Sequence, residues 1–282
     1  MGLRRDMMLF PEGRKKALTF SYDDAVTQDV RLLTLMNQYG VKGTFNINTG
    51  CLGLKSLHQQ NGKTVTHNKL KPEEIADTYK GHELAVHGLT HLDLARVPSG
   101  TAAYEVSADR RNIEVITKAP VRGMAYSFGT YTKETLEVLK SCGIVYSRTV
   151  QSTHSFGLPE DFLCWHPTCH HADEELMKLA EQFVNGEARY EEPMLFYVWG
   201  HSYEFDVTDA WEAMETFLKY VSGNEEIWYA ANMDIYDYVT AFRRLVYTAD
   251  GSIVRNPSAL TVWLAVDGKT YEIGAGQCVR IQ

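Results

Sequence analysis

Short apolar runs recur along most of this chain and alternate with stretches whose apolar positions repeat at helical spacing. The runs predict strands over 17–21, 43–47, 82–86, 122–127, 144–149, 161–166, 194–199 and 226–230. Helices are predicted over 27–39, 72–80, 101–117, 132–141, 173–185, 208–221 and 234–244. Repeated strand–helix units with right-handed crossovers build a parallel sheet. About eight of them in ~230 residues predict an α/β fold, a closed or nearly closed (β/α) barrel of about seven to eight parallel strands. The polar stretch Gly50–Lys71 breaks the pattern and is expected to be a long loop able to roof the barrel mouth.

After Arg244 the pattern changes to short β-type runs over 246–247, 252–255, 260–266, 270–273 and 278–281. They are split by Asp250-Gly251, Asn256-Pro257 and Asp267-Gly268, each a turn signal. The expected organisation is a barrel domain over 1–245 and a small C-terminal antiparallel β unit of about four strands over 246–282. Leu260, Val262 and Leu264 alternate and give that unit an apolar face, which must cover either the barrel's flank or a second copy of the chain, leaving a homo-oligomer open.

Composition narrows the classes of partner. With 44% hydrophobic and 23% charged residues, the 282-residue chain can bury an ordinary core. A net charge of −8 and the lack of any long Lys/Arg run argue against a nucleic-acid partner. No stretch has the ~20 uncharged apolar residues of a membrane span. Five scattered cysteines are expected to be free thiols. The first residues lack the apolar core of a signal peptide, so a cytoplasmic location is expected unless a leader precedes them.

The candidate chemistry starts in Lys16–Asp24, where an apolar run ends in two adjacent carboxylates. A strand over 17–21 puts Asp23 and Asp24 at its C-terminal end, where α/β folds gather their ligands. Two neighbouring carboxylates in a desolvated site need a compensating cation, and a metal ion supplies one. The alternative is a helix N-cap for the segment that begins at Val30. A second stretch, Gly81–His91, delivers His87 at a strand end and His91 four residues on, facing the same side. Two imidazoles and one carboxylate make three protein ligands with a position left open, the set of a catalytic zinc.

Together these stretches resemble the polysaccharide deacetylase family, the NodB-homology enzymes that remove acetyl groups from N-acetylated sugars. Thr19-Phe20-(Ser21-Tyr22)-Asp23-Asp24 is similar to the family's Thr-Phe-Asp-Asp motif, and His87-Gly88-Leu89-Thr90-His91 to its His-(Ser/Thr)-x-x-His motif. The resemblance covers about residues 16 to 240 and implies a distorted barrel. It implies Asp24, His87 and His91 as ligands of a divalent metal, most readily Zn2+, and Asp23 as general base. Leu195–His201 resembles the family's last motif and implies His201 as general acid. The implied reaction is metal-dependent deacetylation of an N-acetylated (poly)saccharide. Alternatives are an O-deacetylase, a small-molecule amide hydrolase of the same superfamily, and a non-catalytic carbohydrate-binding barrel.

Two motifs depart from the family. Where it has Phe-Arg-Pro-Pro-Tyr-Gly, this chain has Met124-Ala125-Tyr126-Ser127-Phe128-Gly129, with Ala125 in the arginine's place. Asp23 beside Asp24 needs a guanidinium to stay ionised. Arg148, at the end of the next strand, is expected to provide it rather than Arg122. The family's Asp-x-x-Asp-Trp motif has no counterpart, leaving Glu204 or Asp206 to steady His201. The run Cys164–His171 is dense in metal-ligand types but lacks a second cysteine pair. It is expected to offer Trp165 and His170 or His171 to substrate, with Tyr126, Phe128 and Trp199 lining the same pocket.

Overall fold

A computed structural model describes residues 4–188 and 192–281. In chain order its elements begin with β1 (Asp6–Leu9), β2 (Lys16–Asp23), α1 (Asp29–Gln38), β3 (Thr44–Ile47), β4 (Leu57–Gln60), β5 (Lys63–Thr66), α2 (Ile75–Thr78) and β6 (Glu83–Val86). They continue with α3 (Ser99–Thr117), β7 (Gly123–Ala125), α4 (Lys133–Ser141), β8 (Tyr146–Arg148), β9 (Cys169–His170), α5 (Leu176–Asn185) and β10 (Met194–Gly200). The last are α6 (Glu204–Thr208), α7 (Trp211–Val221), β11 (Ile227–Tyr229), α8 (Asn232–Arg243), β12 (Val246–Tyr247), β13 (Ile253–Arg255), β14 (Val262–Val266), β15 (Lys269–Ile273) and β16 (Cys278–Arg280). No helix among the described residues is long and apolar enough to cross a membrane.

β2 is buried along its whole length, as a strand paired on both edges and packed on both faces must be. β10 pairs along Lys16–Tyr22 on one edge; β3, at Ser21–Asp23, and β11, at Lys16–Leu18, share the other. Strand alternation then sorts the side chains. Leu18, Phe20 and Tyr22 point out to the helix layer, where Phe20 meets Phe217 edge-on at 6.1 Å, while Thr19, Ser21 and Asp23 point into the barrel. The sheet runs β8-β7-β6-β3-β2-β10-β9, every pairing parallel. Residues 165–168 span the remaining gap: Trp165 bridges to Arg148 of β8, and Thr168 N–H donates to Tyr197 O of β10 at 2.8 Å. The expected distorted, nearly closed barrel is what forms.

The strand predicted over 161–166 does not form. Asp161 caps a 3-10 turn at Phe162–Cys164 by accepting from Leu163 N–H, and regular pairing begins only beyond Pro167, which has no N–H to give a ladder. Trp165 consequently points into the barrel. It is 1% exposed, ringed by Tyr146, Phe162 and Tyr197 at 4.8–5.5 Å, and so is a core residue rather than one offered to substrate. Tyr126 is corrected in the same way: its ring is buried and its hydroxyl donates to Leu163 O at 2.8 Å. Trp165→Ala is expected to cost about 3–5 kcal/mol of stability through the cavity it leaves, read as a lowered urea midpoint.

Gly50–Lys71 holds a hairpin instead of an open loop. Asn61 and Gly62 both take positive φ (52° and 76°), the two-residue turn that suits β4 and β5. The hairpin is stitched to the end of β2 by a bridge between Val26 and Lys69 and by Leu70 N–H donating to Ala25 O at 2.8 Å. Val65 packs with Val26, Tyr203 and Val207, so the hairpin also leans on α6.

Beyond α8 the strands form two antiparallel sheets, β12-β13-β16 and β1-β14-β15. β1, an N-terminal strand that periodicity did not suggest, pairs Asp6–Leu9 with Val266–Trp263. Val262 and Leu264 are fully buried on the α8 side, where Tyr238 OH accepts from Trp263 N–H at 3.0 Å; Leu260 is 41% exposed and lies off that face.

Candidate active site

β2 ends inside the barrel mouth at Asp23, a residue 2% exposed. Asn46 Nδ2, from β3, donates to its Oδ1 at 2.8 Å, and Arg148 Nη2 donates to its Oδ2. Arg148 is itself fully buried, gives a second hydrogen bond through Nε to Ser21 Oγ at 3.2 Å, and lies 4.4 Å over the Trp199 ring. Burial alone pushes Asp23 toward its neutral acid. Arg148 foremost, then His87 and His201, reverses this and holds the carboxyl below its ordinary range. Arg148 pairs in register with Ala125 across β7 and β8, so the guanidinium enters one strand over from the alanine.

Asp24, His87 and His91 converge at the same mouth, their ligand atoms within 4.8 Å of one another. His87 is held on every side. Its N–H donates to Asp109 Oδ2 at 3.1 Å, and its carbonyl accepts from Asn48 Nδ2 and Ser127 Oγ, each at 2.7 Å. Its Nδ1 lies 2.9 Å from Ala125 O. A carbonyl can only accept, so the proton sits on Nδ1 and Nε2 keeps its lone pair for the site. Burial lowers the pKa of His87 to about 4 and that of His91 as well, keeping both imidazoles neutral, the form that binds a metal. Glu105, one turn before Asp109 on α3, accepts from Thr90 N–H and Oγ1 at 2.8 Å, so two buried carboxylates clamp the 87–91 turn. Asp24 and His91 both have left-handed backbones, φ 87° and 61°, a strain of the kind that gathers at functional sites. The donor set therefore fits a divalent cation with an open position. Phe128, 62% exposed, sets its ring 4.7 Å edge-on from His91.

His201 follows β10 with Nε2 3.8 Å from Asp23 Oδ2 and Nδ1 3.3 Å from Glu204 Oε1. The other oxygen of Glu204 faces His170 Nε2 at 3.1 Å and His171 Nε2 at 3.2 Å, and His201 N–H donates to it at 3.1 Å. His170 Nδ1 accepts from Ala172 N–H at 3.1 Å, which fixes its proton on Nε2, toward Glu204. Against the effect of burial, His170, His171 and His201 hold Glu204 far below the carboxylate range. Against its own burial, Glu204 first and then Asp23 raise His201 above the usual histidine value. Asp206 turns elsewhere, accepting from Gln28 Nε2 and Trp211 Nε1 at 2.8 Å.

Residues 11–147 match the family model described as polysaccharide deacetylase. That stretch belongs to the polysaccharide deacetylase family. A Mycobacterium smegmatis structure named for a polysaccharide deacetylase shares the fold at 17% identity and TM-score 0.59, over 84% of this chain and 94% of that one. A mutant of the Bacillus anthracis pseudoenzyme BA3943, of carbohydrate esterase family 4 and with restored enzymatic activity, aligns at 16% identity and TM-score 0.50, over 80% and 68%. The chain spans 55% of the length of a Streptococcus pyogenes deacetylase PplD structure, over 47% of its own length at 17% identity and TM-score 0.41. No curated protein matches it in sequence.

The matched stretch includes Asp23, Asp24, His87 and His91; Arg148, His201 and Glu204 lie beyond it. The structure brings all seven to one mouth, with His170 and Trp199 beside them. Sequence reasoning missed His67 and Lys69, whose side chains reach Asp24 from the hairpin excursion, at 3.5 Å and 3.0 Å. The Asn61-Gly62 pair was the available sign that this stretch folds back on itself.

Proposed function

We propose that this protein is a metal-dependent hydrolase that removes the acetyl group from an N-acetylated saccharide. The observation that carries the reading is the convergence of Asp24, His87 and His91 beside an ionised Asp23. Those three residues would hold a divalent ion, most readily Zn2+. Such an ion supplies Lewis-acid polarisation of a carbonyl and a lowered pKa for water. Asp23, kept charged by Arg148, takes the proton of the attacking water. His201, kept protonated by Glu204 and Asp23, gives one to the departing nitrogen, the step that an amide needs more than an ester does. Phe128 offers an exposed aromatic face to the sugar, Trp199 lines the mouth beneath Arg148, and His170 acts through Glu204. In this reading the catalytic domain is 1–245 and 246–282 is an appendage.

The test is acetate release from N-acetylglucosamine oligomers together with metal content. Activity should vanish with a chelator and return on adding back a divalent ion, and Asp24→Asn should purify without stoichiometric metal. Acetate release indifferent to chelation would overturn the metal-dependent reading. No acetate from any N-acetylated sugar by metal-loaded protein would favour a binding barrel instead.

A further inference from the structure

One cation already meets the candidate metal site. Lys69 Nζ lies 3.0 Å from Asp24 Oδ1, with the lysine side chain 10% exposed. This is the oxygen that faces His91 Nε2, at 3.9 Å, and hence the one through which Asp24 would share an ion with the histidines. His67 Nε2 lies on the other oxygen, 3.5 Å from Oδ2. Lys69 does not swing in by chance. Its backbone bridges to Val26, its N–H donates to Leu54 O at 2.9 Å, and Thr27 N–H donates to Asn68 O at 2.8 Å, so the hairpin excursion delivers the ammonium to one place.

Two roles for such a lysine have opposite signs. If it only orients Asp24, its removal weakens metal binding. If it competes for the ligand oxygen, its removal strengthens it. Asp24 has orientation of its own: its N–H donates to Asn46 O at 2.9 Å, its backbone is fixed at φ 87°, and His67 holds the far oxygen. What Lys69 adds is positive charge on the near oxygen, which repels a divalent ion in a site mostly closed to water. We propose that Lys69 is a tethered counter-cation that competes with the metal for Asp24 and keeps the metal exchangeable. The inference rests on the metal-site reading above and goes beyond it by naming what sets the site's affinity.

The experiment is Zn2+ and Co2+ affinity of the full chain by competition with a chromophoric chelator, on wild type, Lys69→Met, Lys69→Gln, Lys69→Arg and Asp24→Asn. Lys69→Met and Lys69→Gln should each bind at least about tenfold more tightly, and Lys69→Arg within about threefold of wild type, because a guanidinium keeps the charge. Lys69→Gln keeps a hydrogen-bond donor without the charge, so it answers even if Lys69→Met fails to fold. Unchanged or weaker binding in the folded neutral variants, with wild-type binding still abolished by Asp24→Asn, overturns this inference alone. Wild-type binding that survives Asp24→Asn overturns the metal-site reading and this inference with it.

Discussion

Arg148→Ala will lower turnover by about two orders of magnitude or more and move the acid limb of the pH–rate profile to higher pH. The guanidinium is fully buried and is the leading opposite charge acting on Asp23, outweighing burial together with His87 and His201. Without it burial wins, the carboxyl protonates at higher pH, and less of the base is ionised at any pH on the acid side. Stability should follow the same sign. A carboxyl whose folded pKa is depressed contributes stability above its unfolded value of about 3.9, and this is lost as pH falls through the folded value. Breaking the buried pair should therefore cost about 3–5 kcal/mol at neutral pH and less in acid, where Asp23 carries no charge. Arg148→Lys should restore only part of the activity, since an ammonium cannot serve Asp23 and Ser21 from one planar fork. The checks are kcat/KM against pH and urea midpoints at two pH values; an acid limb that stays where it was would reject the pairing as functional.

Glu204→Gln will act on the opposite limb. Burial works against His201 carrying a proton, and Glu204, followed by Asp23, overcomes it to raise the histidine above its usual value. A raised histidine keeps its proton until pH rises through the folded value, so removing the main cause moves the alkaline limb to lower pH. Turnover at neutral pH should drop about tenfold to a hundredfold, because the imidazole loses the negative charge 3.3 Å from its Nδ1 that favours the protonated form. Asp206→Asn should leave the alkaline limb in place, since Asp206 is tied to Gln28 and Trp211. Adding Glu204→Gln to His201→Ala should cost nothing further if Glu204 acts through His201. An alkaline limb unmoved in Glu204→Gln would sink this role.

The sequence by itself determined the barrel and much of its mouth, because both are written in local spacing. Alternation in Ala17–Asp23 sets which side chains meet the helices and which enter the barrel, and a strand end followed by His-x-x-x-His has few ways to point. Arg148 was legible as a strand-end guanidinium one strand from Ala125. Tertiary structure decided whatever depends on chain segments far apart meeting. Trp165 and Tyr126 share the aromatic character of Phe128, and only the path of residues 162–168 through the barrel gap buries the first two and leaves the third at the rim. Glu204 and Asp206 are two residues apart and alike in chemistry; the packing of Trp211 and Gln28 draws one away, and His170 and His171, thirty-odd residues back, claim the other. Lys69 reaches Asp24 only because the chain folds back after the hairpin and bridges to Val26. Periodicity records the faces a segment buries, whereas a charge finds its partner through the whole fold.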